Sequence, residues 1–213
     1  MYTLYYSPGT ASMLVHLALL ETGAAHRLEL VDFASGQQKQ AHYLAINPAG
    51  VVPTLIVDGA ARVESAALLM LLAERHPQSA LAPASGSALH EAWREWLIYL
   101  CNNLQPAFRL WFYPSDLGYA SHPAELSTAL QEKIARIWEH LDQHLRTHGP
   151  YLLGQQFSGA DLMLAMLMRW SRAMPRPATD WPALRGLAEL VCARPSWHSM
   201  QQTEALSAWP VAA

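Results

Sequence analysis

The pattern of apolar and turn residues changes once along this chain, near residues 77–88. Before that boundary, short runs typical of β-strands alternate with helical segments, and after it every periodic segment is helical. The stretch from Gln78 to Ser87 contains proline, glycine and serine and has no periodicity. We therefore expect an α/β domain over residues 1–77, a linker over 78–87 and an all-helical domain over 88–213.

The N-terminal part carries a specific order of elements. A helical pattern lies between the first two strand-like runs, and an Asp-Gly turn typical of hairpins joins the last two. A right-handed first crossover then gives a four-stranded mixed sheet with helices packed on it. The predicted order is βαβαββα: a strand at 2–6, a helix at 11–21, a strand at 27–31, a loosely helical stretch, strands at 54–57 and 61–63, and a helix ending near Pro77.

The C-terminal part predicts a helical bundle. Its best local signal is Ser158 followed by Asp161, which fits a capping box at the start of a helix. The following segment, residues 162–168, is apolar on all sides and indicates a central buried helix; a methionine-rich cofactor pocket is the less favoured alternative. The predicted helices lie at about Ala88–Leu110, Pro123–His148, Gly159–Arg172, Trp181–Ala193 and Pro195–Thr203.

Charge and composition exclude several classes of function. The net charge is −3 and the chain has no lysine or arginine run, which disfavours a nucleic-acid partner. No apolar run reaches 18 residues and the N-terminus lacks the basic region of a signal peptide, so we expect a soluble, cytoplasmic protein without a membrane partner.

Cysteine and histidine spacing argues against a metal or dithiol centre. Cys101 and Cys192 form no CxxC pair, which disfavours a disulfide framework, a zinc cluster and a thioredoxin-type site. His140, His144 and His148 recur every fourth residue and could face a metal, but no acidic or cysteine ligand completes a set. A solvated helix face is the favoured interpretation, and we predict no metal.

Two short motifs predict a site for an extended peptide ligand with a free carboxylate. The segment 47–53 reads Asn-Pro-Ala-Gly-Val-Val-Pro, and a cis bond between Val52 and Pro53 would turn the peptide N–H and C=O of Val52 outward. Glu64 and Ser65 follow at the start of an apolar helix. Exposed N–H groups beside Ser65 suit a carboxylate, and Glu64 can accept from an ammonium group. Taken alone, the pair is also compatible with an ordinary helix cap.

Together with residues 6–9, Tyr-Ser-Pro-Gly, and the capping box at Ser158, these motifs resemble the cytosolic glutathione S-transferases from end to end. The resemblance implies a thioredoxin-like N-terminal domain that binds glutathione, an all-helical C-terminal domain that supplies the pocket for a small electrophile, and a homodimer. The Tyr-Ser-Pro-Gly opening is most similar to the bacterial beta class. In that class a cysteine follows the Pro-Gly pair by two positions, whereas this chain has Ala11.

Because the cysteine is absent, we expect a hydroxyl group of the protein to activate the sulfur of bound glutathione. A donor to the sulfur of bound glutathione favours the thiolate, and the N-terminal end of the first helix acts in the same direction. The candidates are Ser12, which we favour, Tyr6 and Thr10. Each candidate also has a purely structural interpretation. Tyr6 could be a strand residue packed in the core, and Thr10 and Ser12 could cap the first helix.

The end of the first long C-terminal helix predicts an apolar surface. Arg109, Trp111 and Tyr113 could line the pocket for the electrophile, or could serve interdomain packing. The sequence thus predicts a glutathione transferase. The alternatives are a glutathione-dependent isomerase or dehalogenase, and a non-catalytic transferase-like binding or regulatory protein.

Overall fold

Four strands form one mixed sheet in the N-terminal part of the computed structural model, which describes residues 1–210. The strands are β1 (Tyr2–Tyr6), β2 (His26–Leu30), β3 (Thr54–Val57) and β4 (Ala60–Arg62), and their order across the sheet is β2-β1-β3-β4. Strand β1 is parallel to β2 and antiparallel to β3. This arrangement confirms the predicted thioredoxin-like topology.

The helices follow the predicted division into an α/β part and a helical part. They are α1 (Ser12–Thr22), α2 (Ala41–Leu44), α3 (Ser65–Arg75), α4 (Ala88–Tyr99), α5 (Gln105–Phe112), α6 (Ala124–His148), α7 (Gly159–Trp170), α8 (Pro182–Cys192) and α9 (Pro195–Thr203). None of these helices is both long enough and apolar enough to cross a membrane.

Helix α1 is buried on all sides. Every residue from Ser12 to Leu19 is buried, because α1 is in contact with α3, α9 and strand β1. The guanidinium of Arg194, just before α9, makes two hydrogen bonds of 2.7 Å to the carboxylate of Glu21 at the end of α1. The C-terminal helix therefore closes the core around α1.

The compact units differ from the predicted domain division at this helix. Residues Met1–Ala84 and Cys192–Trp209 form unit 1, and Ser85–Val191 belong to unit 2. The sequence pattern assigned α9 to the helical domain because α9 is helical. The structure places it with the α/β part, because the buried and largely apolar α1 needs a second cover.

Unit 2 is organised around α7. Leu162 to Met168 have no exposed surface, which agrees with a central core helix. The capping box at its start is present: the Ala160 N–H donates to the Ser158 hydroxyl, and the Ser158 N–H donates to the Asp161 carboxylate.

One long predicted helix of unit 2 is divided into two. The structure has α4, a π-helical turn over Leu100–Leu104, and then α5. Pro106 lies in the first turn of α5. Because proline has no N–H to donate, the regular ladder of helix hydrogen bonds cannot run through this position, and the turn before it widens.

Candidate functional site

The turn between β1 and α1 brings two hydroxyl groups of the predicted site, those of Thr10 and Ser12, close together. Ser12 Oγ accepts from the Ser7 N–H at 3.2 Å and donates to the Ser7 carbonyl at 3.0 Å. Thr10 Oγ1 donates to the same carbonyl at 2.7 Å and lies 2.9 Å from Ser12 Oγ. The Ser7 carbonyl is therefore the shared acceptor of both hydroxyls.

Burial separates the roles of these two hydroxyls. Ser12 has no exposed surface, whereas Thr10 is partly exposed. Thr10 is therefore the more accessible of the two residues. The Ser12 hydroxyl, which we favour from the sequence as the donor to the sulfur, is enclosed and bonded to the Ser7 backbone, and its role as that donor stays a prediction.

Tyr6 lies at the end of β1, on the other side of the same turn. Its hydroxyl makes no hydrogen bond within residues 1–210, and its ring lies 6.3 Å from the His16 ring. Burial, and secondly the nearby carboxylate of Glu204, raise the pKa of Tyr6. The phenol thus remains protonated at neutral pH, in an environment that disfavours a second negative charge.

Glu204 joins the C-terminal segment to this turn, which the sequence did not predict. Its Oε2 accepts from the Gly9 N–H at 3.0 Å, and its Oε1 lies 2.9 Å from His16 Nδ1. Both side chains are almost fully buried. The only sequence signal was a histidine inside the apolar run of α1, which requires a polar partner somewhere in the fold.

The segment 47–53 forms the loop before β3, and its last peptide bond, between Val52 and Pro53, is cis as predicted. Gly50 has a φ of 61°, and a Cβ at this position would lie 2.7 Å from the Gln38 carbonyl oxygen, so only glycine fits. Within residues 1–210, neither the N–H nor the C=O of Val52 has a hydrogen-bond partner. One residue of this loop thus offers a donor and an acceptor to an extended peptide.

The start of α3 is the second predicted part of the site. Glu64 has φ 71° and ψ 105°, a backbone conformation that is rare and costly for residues other than glycine. Its side chain is exposed and does not cap the helix. Ser65 is buried as the first helical residue, and its hydroxyl makes no hydrogen bond within the described chain. The ordinary-cap interpretation therefore does not explain this pair.

The predicted substrate-pocket residues lie at the end of α5, in unit 2. Arg109 makes two hydrogen bonds to Asp116, at 2.6 and 3.1 Å, and its guanidinium carbon lies 3.9 Å from the Tyr113 ring centroid. The Trp111 carbonyl accepts from His122 at 3.1 Å. The structure thus brings Arg109 and Tyr113 together, while Trp111 pairs with a different loop.

The histidine stripe of α6 packs against aromatic rings. The His144 ring lies 4.5 Å from the Trp96 ring and 4.8 Å from the His148 ring, and its Nε2 donates to the Leu152 carbonyl at 2.9 Å. Within residues 1–210, no group of three or more histidine, cysteine, aspartate or glutamate side chains is arranged to hold a metal ion.

Comparison with known protein families agrees with these motifs. The family model described as the N-terminal domain of glutathione S-transferase matches residues 2–80, and the one described as its C-terminal domain matches residues 124–191.

Similar proteins cover nearly the whole chain. The chain is 27% identical over 207 residues to Glutathione S-transferase GST-4.5 of Xanthomonas campestris, covering 96% of this chain and 99% of that protein. It resembles the solved structure of BphK, a bacterial GST in a ternary complex, with a TM-score of 0.84 and 34% identity over 96% of this chain and all of BphK. A sphingomonad glutathione S-transferase complexed with glutathione gives a TM-score of 0.83 and 30% identity, covering 96% of this chain and all of that one.

Proposed function

Because the chain belongs to the glutathione S-transferase family, we propose that it binds glutathione in unit 1 and transfers glutathione, through its sulfur, to a small apolar electrophile. The observation that carries this proposal is the unpartnered N–H and C=O of Val52 on the loop before β3. An extended peptide adds to such a pair as a further strand would, so that the cysteinyl residue of glutathione accepts from the N–H and donates to the C=O. Val52 and Pro53 thus hold the middle of the ligand.

The start of α3 holds the γ-glutamyl end of glutathione. The first N–H groups of α3 and the free hydroxyl of Ser65 donate to its α-carboxylate, while the exposed carboxylate of Glu64 accepts from its α-ammonium group. The rare backbone conformation of Glu64 supports this assignment, since such conformations concentrate at ligand sites.

Thr10 is the direct donor to the sulfur in this proposal. Its hydroxyl is the more accessible of the pair, and Ser12 can keep the Ser7 carbonyl satisfied when Thr10 turns to a thiolate. Ser12 is then a positioning residue. Tyr6 is the weaker candidate, because the Glu204 carboxylate beside it would repel a thiolate as it repels a phenolate.

In this proposal Arg109, Trp111 and Tyr113 of unit 2 line the pocket for the electrophile. The exposed rings of Phe112 and Tyr113 support it, being 47% and 40% exposed. An apolar lining with one cation is typical of pockets for small apolar ligands.

Calorimetry with glutathione tests the binding step. We expect binding by the wild type, and a roughly tenfold weaker affinity for Glu64→Ala because one charge-assisted hydrogen bond is lost. Glu74→Ala is the matched control, since Glu74 is also exposed on α3 but lies at its other end. Absence of wild-type binding at millimolar glutathione would refute the proposal.

A panel of electrophiles then tests turnover. Aryl halides and activated alkenes report conjugation, a cis alkene diacid reports isomerisation and a haloalkane reports dehalogenation. Binding of glutathione without turnover of any of these compounds would favour a non-catalytic binding protein over the enzyme.

A further inference from the structure

Two buried side chains hold the carbonyl group that precedes Val52. The Tyr43 hydroxyl, from α2, donates to the Val51 carbonyl at 2.7 Å, and the Asn47 amide Nδ2 donates to the same oxygen at 2.8 Å. Tyr43 is 1% and Asn47 is 3% exposed. The Val51 carbonyl therefore points into the protein and cannot turn outward without breaking two hydrogen bonds from buried side chains.

Thr54 completes this network and fixes its direction. Its hydroxyl lies 3.0 Å from the Tyr43 hydroxyl and 3.1 Å from Asn47 Nδ2. Because the single proton of Tyr43 goes to the Val51 carbonyl, Thr54 donates to Tyr43 and accepts from Asn47. Thr54 is the first residue of β3 and pairs with Tyr5 of β1, so the network is anchored on the centre of the sheet.

The held carbonyl determines where the Val52 N–H points. The peptide bond between Val51 and Val52 is trans, since the cis bonds within residues 1–210 precede Pro53 and Pro150. In a trans peptide the C=O and the following N–H point in opposite directions. A carbonyl held inside therefore directs the Val52 N–H outward, and Val52 cannot rotate freely because its side chain packs with Tyr43 in the core.

We infer that Tyr43 and Asn47 are positioning residues that aim the Val52 N–H at the cysteinyl carbonyl of glutathione. The inference rests on the proposed function. Neither side chain touches the ligand; both act through the peptide unit between Val51 and Val52. Preorganising one donor in this way lowers the ordering cost of binding, because the N–H already points along the hydrogen bond that the ligand completes.

The test compares Tyr43→Phe with Tyr5→Phe. Both changes remove one phenolic oxygen from the same aromatic cluster, whose ring centroids are 5.8 Å apart, but the Tyr5 hydroxyl makes no hydrogen bond within residues 1–210. We expect the Kd for glutathione, measured by calorimetry, to rise about tenfold in Tyr43→Phe, as loss of one hydrogen bond predicts. In Tyr5→Phe it should stay within about twofold of the wild type.

A ligand analogue separates positioning from general loosening. The analogue has an ester in place of the amide between cysteine and glycine, so that its cysteinyl carbonyl is a weaker acceptor for the Val52 N–H. Wild type and Tyr5→Phe should lose affinity for it equally. Tyr43→Phe should lose clearly less, because the two changes weaken the same hydrogen bond and are not additive.

The outcomes separate the two proposals. If the wild type does not bind glutathione, both proposals fall. If the wild type binds glutathione but Tyr43→Phe has the same Kd as Tyr5→Phe, the positioning role is wrong and the proposed function stands. The same conclusion follows if Tyr43→Phe loses as much affinity for the ester analogue as the wild type does. Thr54→Val provides the second variant should Tyr43→Phe not fold, because it removes the donor to Tyr43, and an unchanged Kd in it would likewise overturn the inference.

Discussion

At the scale of single residues, the candidate site depends on which polar groups the protein has already satisfied. The Ser12 hydroxyl and the Val51 carbonyl are satisfied internally, whereas the Val52 N–H and the Ser65 hydroxyl have no partner within residues 1–210. A residue that is both buried and internally bonded, such as Ser12, is suited to hold the site, whereas Thr10 is bonded but partly exposed. A residue with a free donor is available to the ligand.

Substitution of the hydroxyl groups tests the choice of sulfur donor. Thr10→Val should raise the pKa of the bound glutathione thiol and lower kcat about a hundredfold, because a donor to the thiolate is lost. Ser12→Ala should change the pKa of the bound thiol and kcat in the same direction but by less, and Tyr6→Phe should have little effect on either. Thiolate absorbance as a function of pH measures the pKa in each variant.

Two further comparisons complete this test. Removal of both Cys101 and Cys192 should leave conjugation intact, since Ala11 stands where the beta class has its cysteine. A pKa shift in Tyr6→Phe alone would instead assign the donor role to the tyrosine, and no shift in any variant would leave the N-terminus of α1 as the stabilising group.

At the scale of elements, helix termini are tied by carboxylates. Glu21 binds Arg194 beside the start of α9, and Asp142 on α6 accepts from the N–H groups of Ala183 and Leu184 at the start of α8, at 2.8 and 3.3 Å. Both carboxylates fix the N-terminal end of a helix from a different element. Such contacts position α8 and α9 more firmly than helix propensity alone would.

Asp161 makes the start of α7 sensitive to pH. Burial raises its pKa from 3.8 to about 6, against the opposing effect of hydrogen bonds from the Leu152 and Ser158 N–H groups. Because the folded pKa lies above the unfolded one, the contribution of Asp161 is fully present below pH 3.8 and is lost as the pH rises through 6.

Denaturation curves of wild type and Asp161→Asn between pH 4 and 7.5 test this sensitivity. The stability advantage of the wild type over the variant should shrink by up to about 2.5 kcal/mol across this range, since each pKa unit corresponds to about 1.4 kcal/mol. The variant itself does not titrate at this position. A difference that stays constant with pH would contradict the assignment.

At the scale of the whole molecule, unit 1 is not a continuous stretch of sequence. Residues Met1–Ala84 contain the whole sheet, yet Cys192–Trp209 supply the helix that covers α1 and the carboxylate that holds Gly9. The candidate site therefore depends on the last part of the chain as much as on the first, and residues 1–84 alone would leave α1 uncovered.

We expect the protein to assemble as a homodimer, as its family resemblance implies. Two-fold symmetric dimers are also the commonest kind of oligomer. Sedimentation velocity at micromolar concentration should give a species of about twice the 23.6 kDa chain mass. A monomer at this concentration would contradict the prediction.

The sequence by itself determined the order of elements and the position of the site motifs. Strand periodicity, the Asp-Gly hairpin, the Ser158 capping box and the segment 47–53 are local patterns, and each depends on chemistry within a few residues. The cis bond before Pro53 and the buried α7 were predictable for the same reason.

Only the tertiary structure decided which candidates are buried, which are exposed and which distant residues support them. Glu204 is 195 residues from Gly9 in the sequence, and α9 contacts α1 although the two helices are far apart along the chain. No local sequence pattern could therefore pair them. Burial likewise enclosed Ser12 and left Thr10 partly exposed, although the two are neighbours in sequence. The physical reason is that burial and long-range hydrogen bonds arise from packing between elements, which depends on the whole fold.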